Sequence, residues 1–180
     1  MQLSLEPFPY LEYFNFFTDQ ELEQILNQSN RAEEIDECLS LSNTDKDFFV
    51  LMQDKAWTIA KDYNILLEHT PHPHNKTSAK PEDCYFKIQL KKLKPGFSYC
   101  IHADSHTKHM TSVFYISDTG KGTDVYDNDK NWHSNITWKK NKGYSFIPHV
   151  HSYHSYEHPI DFIEPRITIM FIYQNKRFYN

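Results

Sequence analysis

The stretch LKKLKPGFSYCIHADSHTKHMTSVFYIS, Leu90–Ser117, decides how the chain is read. Two strand-forming runs, one ending at Leu93 and one opening at Ser98, flank Lys94-Pro95-Gly96. Proline and glycine there supply the backbone angles of a reversal. The second run closes on His102-Ala103-Asp104. Side chains alternate along a strand with period two, so an imidazole and a carboxylate at i and i+2 share one face. Such a pair can take two adjacent positions on one metal ion. A third run, Thr111–Ile116, follows a polar turn.

Toward the C-terminus the same grammar continues. Strands are expected at Tyr85–Leu93, Ser98–Ala103, Thr111–Ile116, Thr123–Tyr126, Ile136–Lys139, Tyr144–Ile147 and Ile167–Tyr173, between Pro-Gly, Asp-Thr-Gly, Asn-Asp and Asn-Lys-Gly turn signals. All four glycines, Gly96, Gly120, Gly122 and Gly143, fall in this half. Short strands with polar turns predict an antiparallel sandwich or barrel. The strand–helix alternation of a doubly wound fold is missing.

Toward the N-terminus the pattern is helical. Thr18-Asp19-Gln20-Glu21 is a capping box, and Leu22, Ile25 and Leu26 at i, i+3, i+4 predict a helix to about Ser29. A second start at Asn43-Thr44 leads into a stripe of Phe48, Leu51, Met52, Ala56, Ile59, Ala60 and Tyr63, predicting one helix over roughly 45–67. The acidic 30–42 segment reads as irregular, and His69–Glu82, with three prolines, as a loop. The class is α+β: a single domain over 1–180, helical over about 1–80 and β over about 84–175, with the helices packed on one sheet.

Composition narrows the function. The chain has 180 residues, 28 of them aromatic, enough apolar area for a substantial core. A net charge of −5 gives little support to nucleic-acid binding. Cys38, Cys84 and Cys100 lack CxxC spacing, which suits a reducing compartment. No apolar run reaches membrane-span length, and MQLSLEPFPYLEYF has no signal-peptide pattern, so a soluble cytoplasmic protein is expected.

Histidine is the unusual item, with eight of eleven between His102 and His158. A third ligand beside His102 and Asp104 would complete a 2-His-1-carboxylate set, whose open positions suit Fe(II) and O₂. His149, His151, His154 and His158 are the candidates. His106 and His109, on either side of Lys108, read as rim or surface residues, and His69, His72 and His74 as solvated loop residues. His149-x-His151 alone would also fit a zinc or cupin-like site. Downstream, Arg166-Ile167-Thr168 places a guanidinium fork and a hydroxyl on one strand face, a pair suited to a carboxylate.

In this order these motifs resemble the Fe(II)/2-oxoglutarate-dependent dioxygenases of the prolyl-4-hydroxylase-like type. The likeness covers Leu90–Tyr173, including GTDVYD, NKGYSFIPHVHSYHSYEHPI and EPRITIMFIY, and more weakly PFPYLEYFNFFTDQELEQI at the N-terminus. It implies a double-stranded β-helix (jelly-roll) core and His102, Asp104 and His154 as iron ligands. It further implies that Arg166, assisted by Thr168 and Tyr115, binds the C5 carboxylate of 2-oxoglutarate, with Tyr99 near the cosubstrate. In a regular strand Tyr99 would face away from His102, so that role requires a β-bulge. His154 stands 12 positions before Arg166, a longer spacing than the family's, with His151 and His158 as the alternatives. The implied reaction is hydroxylation of a C–H bond in a protein side chain or small molecule, using Fe(II), O₂ and 2-oxoglutarate and releasing succinate. A carboxylate at Asp104, where related halogenases carry Gly or Ala, favours hydroxylation. The competing reading is a non-enzymatic jelly-roll, cupin-like metal-binding or interaction module.

Overall fold

Thr18, in extended backbone, opens α1 (Asp19–Ser29). Its hydroxyl accepts the Glu21 N–H at 3.3 Å while Glu21 Oε2 accepts the Thr18 N–H at 2.8 Å, so both halves of the capping box form. This computed structural model describes residues 1–30, 38–40, 46–71 and 84–175. The expected start at Asn43-Thr44, together with His72 and His74, lies outside them.

The single helix expected over roughly 45–67 is two, α2 (Lys46–Ala60) and α3 (Tyr63–His69). The break is at Asp62, whose N–H donates to Ile59 O at 2.9 Å, three residues back instead of four. Its carboxylate also accepts the Tyr13 hydroxyl at 3.0 Å. The apolar stripe survives the turn: Phe48, Met52 and Ile59 of α2 and Tyr63 and Leu66 of α3 are all buried.

The strands are β1 (Gln2–Ser4), β2 (Tyr10–Phe14), β3 (Cys38–Ser40), β4 (Cys84–Leu93), β5 (Ser98–His102), β6 (Lys108–Tyr115), β7 (Thr123–Tyr126), β8 (Trp132–Ile136), β9 (Lys142–Phe146), β10 (His154–Glu157) and β11 (Arg166–Asn175). Among the described residues they form two antiparallel sheets, ordered β1-β2-β9-β6-β11-β4-β3 and β5-β10-β7-β8. One core fills the space between the helices and the larger sheet, with Ile25, Met52, Leu66, Leu90, Phe114 and Phe171 inside it. A second joins the sheets face to face, where Val113, Tyr115, Tyr144 and Phe146 meet Val125 and Ile136. The architecture is mixed and mostly antiparallel, as the strand pattern predicts.

Strand β11 shows how the sequence sorts these layers. Ile167, Ile169, Phe171 and Tyr173 enter the helix-side core, while Arg166, Thr168, Met170 and Ile172 line a cavity between the sheets. At the Lys94-Pro95-Gly96 turn, Gly96 takes φ 85°, a left-handed angle that glycine adopts without strain. Asn141 holds φ 62° before β9 and clamps the β2–α1 corner, accepting the Phe17 N–H at 2.8 Å and donating to Phe17 O at 2.6 Å.

Several expectations shift. The run expected at Ile136–Lys139 is instead β8, earlier by four residues at its start, because the Asp127 carboxylate accepts the Asp129 and Asn131 N–H groups and closes the turn at once. His109 is not on the rim. It is the extra residue where β6 pairs with β11, since Met110 faces Tyr173 and Lys108 faces Gln174, and it is buried against Tyr63 and Tyr173. Among the described residues no helix is long and apolar enough to cross a membrane.

Candidate metal centre

His102 ends β5 and His154 opens β10, and the two are Cα partners across the pair. Their ring centroids lie 4.3 Å apart. Asp104 lies just beyond β5, and the ligand atoms of His102, Asp104 and His154 all fall within 4.8 Å of one another. Each imidazole is oriented in the same way. His102 Nδ1 lies 2.9 Å from Cys100 O, and His154 Nδ1 lies 2.9 Å from Ser152 O. A carbonyl only accepts, so Nδ1 carries the proton and Nε2 keeps its lone pair for a metal, the arrangement seen around metal-bound histidines.

Asp104 is fixed at both oxygens. Lys108 Nζ donates to Oδ1 at 2.6 Å and Thr111 Oγ1 donates to Oδ2 at 2.5 Å. Burial pushes the Asp104 carboxyl up, but Lys108, His154 and Thr111 together hold it below the usual carboxylate range. Burial pushes the His154 imidazole down to about 4, against the opposing pull of Asp104. Both groups are therefore in their metal-binding protonation states at neutral pH.

These residues form one end of a cavity of about 360 Å³. In its wall lies Arg166, only 2 % exposed. Its guanidinium carbon stands 4.6 Å from the Tyr156 ring centroid and 5.1 Å from that of Trp138. Among the described residues it forms no ion pair, and its Nε is buried without a hydrogen-bond partner. Thr168 Oγ1, on the same cavity wall, is likewise buried without a partner. A buried cation and hydroxyl left unsatisfied cost several kcal/mol in order of magnitude, unless a ligand completes them. The donor set matches a carboxylate.

Tyr99 does reach the site, through the bulge it needs. Tyr156 pairs with Tyr99 while His154 pairs with His102, so Cys100 and Ile101 both oppose Ser155. The Tyr99 ring packs edge-on to His102 at 4.5 Å and stacks on Tyr156 at 5.5 Å. Tyr115 lies behind the cavity wall. Its ring stacks on Trp138 at 4.3 Å, and its hydroxyl is 2.9 Å from Thr123 Oγ1 and donates to Ile136 O at 3.1 Å. Tyr144, unlike Tyr115, lines the cavity together with Tyr99 and Tyr156, and its hydroxyl donates to the same Thr123 Oγ1 at 3.1 Å.

The other histidines of the cluster lie elsewhere. His158 Nε2 is 2.6 Å from Glu164 O, which pins the β10–β11 loop, and His149 and His151 line a separate hollow with Phe8 and Pro71. Sequence reading overlooked Thr111, Tyr144, Tyr156 and Trp138, and it did not see that Lys108 pairs with Asp104. Two of these had a signal: Lys108 is four residues after Asp104, and Tyr156 shares a strand face with His154.

No family model and no curated protein matches the sequence. Solved structures do match in fold. A prolyl-4-hydroxylase from Pseudomonas putida aligns with TM-score 0.67 at 11% identity, over 93% of this chain and 92% of its own. The viral collagen prolyl hydroxylase of Paramecium Bursaria Chlorella virus-1 aligns with TM-score 0.63 at 15% identity, over 92% and 90%. A Trichoplax adhaerens prolyl hydroxylase, solved with a hypoxia inducible factor peptide fragment, aligns with TM-score 0.60 at 13% identity, over 93% and 84%. The chain thus has the fold of the prolyl-4-hydroxylase-like 2-oxoglutarate–Fe(II) oxygenase structures along nearly its whole length.

Proposed function

We propose that this chain is a single-domain Fe(II)- and 2-oxoglutarate-dependent oxygenase on a double-stranded β-helix, hydroxylating a C–H bond of a protein side chain or small molecule. One observation carries the reading. A single cavity holds a His102–Asp104–His154 ligand set at one place and an unsatisfied Arg166–Thr168 pair at another. A passive binding module has no use for a buried cation that lacks a counter-charge. A metal-anchored dicarboxylate supplies one.

The residues fit the groups this reading requires. His102 and His154 would hold Fe(II) through Nε2 and Asp104 through a carboxylate oxygen, while Arg166 and Thr168 would take the far carboxylate of 2-oxoglutarate. When bound, iron and 2-oxoglutarate supply O₂ activation, with release of succinate and CO₂. The chain's own work is positional. Lys108 and Thr111 hold the Asp104 carboxylate at its two oxygens, and the carbonyls of Cys100 and Ser152 fix both imidazoles. Tyr156 and Trp138 flank the guanidinium and keep water from it. Tyr115, behind the wall, buttresses Trp138. Tyr99, 45 % exposed, borders the metal position where a substrate would arrive. The peptide-bound neighbour from Trichoplax adhaerens supports a peptide or protein substrate.

The test is direct. Protein mixed with Fe(II) and 2-oxoglutarate without oxygen should show the weak visible band of the chelate, and on adding oxygen should form succinate, faster with an accepted peptide or amino acid. Absence of both the band and succinate overturns the proposal.

A further inference from the structure

Gln89 and Lys91 alternate with the core residues Ile88 and Leu90 on β4, so their side chains face the cavity between the sheets. Lys91 is the Cα partner of Thr168 on β11, and Leu93, two residues on, is the partner of Arg166. The cavity wall therefore carries two cations beside the unsatisfied Thr168 hydroxyl. Both lie against one aromatic ring. Arg166 Cζ is 4.6 Å and Lys91 Nζ is 5.7 Å from the Tyr156 centroid. Lys91 Nζ donates to the Tyr156 hydroxyl at 3.3 Å, a neutral acceptor, and among the described residues it forms no ion pair. The cavity's own carboxylate, Asp104, is already held by Lys108 and Thr111. Two like charges brought to one ring repel, and among the described residues no carboxylate pairs with either of them.

We infer that Lys91 is a second cation of the anion subsite, meeting the far carboxylate of a bound dicarboxylate together with Arg166 and Thr168 and so selecting a 2-oxo diacid over a 2-oxo monoacid. The assignment rests on the cosubstrate reading above. Tyr156 then acts as a positioning residue, its hydroxyl holding the ammonium until the ligand arrives.

The test is calorimetric titration of Mn(II)-loaded protein with 2-oxoglutarate and, separately, with 2-oxovalerate, which has the same carbon chain but no far carboxylate. Lys91→Met should weaken 2-oxoglutarate about ten- to a hundredfold, the range of one charge-assisted hydrogen bond, and leave 2-oxovalerate unchanged. Lys91→Arg should recover most of the loss, and Mn(II) affinity should stay constant in both variants. Equal weakening of both ligands, or none, overturns the assignment while the cosubstrate reading stands. Failure of the wild-type chain to bind 2-oxoglutarate overturns both.

Discussion

Arg166 shows what the cavity costs the unliganded protein. Among the described residues its desolvated charge has no carboxylate partner, and burial lowers the guanidinium's pKa despite the opposing pull of Tyr115, Tyr144 and Tyr156. Replacing a buried ionic group with an apolar residue of similar size is often neutral or stabilising by about 1–4 kcal/mol. Arg166→Met should therefore raise the thermal midpoint of the ligand-free protein, and 2-oxoglutarate should no longer shift it. A fall in the ligand-free midpoint, measured by calorimetry, would mean that Arg166 is a structural residue. His109 makes the complementary case away from the site. It is 1 % exposed, both ring nitrogens lack hydrogen-bond partners among the described residues, and the rings of Tyr63 and Tyr173 pack against it. His109→Phe removes two unsatisfied buried polar atoms at nearly constant shape. It should stabilise the fold by about 1 kcal/mol in urea titration without altering metal binding.

At the scale of elements, register matters more than propensity. The two bulges set what the sheets present: one turns Tyr99 toward His102, and the other sends His109 to the helix side. Both faces of β4 and β11 were legible in the sequence, because strict alternation sorts apolar from polar residues. The capping box of α1 was legible for a similarly local reason. Strand β10 was not. His154-Ser155-Tyr156-Glu157 is polar throughout, and it is a strand because β5 and β7 pair on either side of it. The place of His154 shared that fate, since this pairing is what sets it, and not His151 or His158, beside His102 and Asp104. Close approach between strands is also sensitive to size. A Cβ at Gly143 on β9 would fall 2.2 Å from Phe114 Cδ1 on β6, within the buried core. Gly143→Ala should cost about 1–3 kcal/mol, read as a lower urea midpoint, with the loss spread to Thr111 and hence to the support of Asp104. An unchanged midpoint would mean that the Phe114 ring yields freely.

For the molecule as a whole, the site makes folding acid-sensitive. His154 has a folded pKa of about 4, far below the value of about 6.5 in an unfolded chain, and burial lowers His109 in the same direction. Between those values the unfolded chain binds protons that the native state refuses, so stability rises with pH over this window. The His154 shift alone corresponds to a loss on the order of 3 kcal/mol as pH falls from about 6.5 to about 4. Asp104 acts with the same sign at lower pH. Its folded pKa is depressed, so its contribution is present above the unfolded carboxylate value and is lost as pH falls through the folded one. The metal-free protein should therefore have a distinctly lower urea midpoint at pH 4.5 than at pH 7.5. His154→Leu should flatten that dependence by removing its largest contributor, whereas His151→Leu, at an exposed position, should leave it intact. If His154→Leu keeps the full pH dependence, the acid sensitivity arises outside the metal centre, and His154 is not held neutral by the fold. If it flattens, the fold is itself sustaining a desolvated imidazole ready for a metal, an expense that packing alone does not explain.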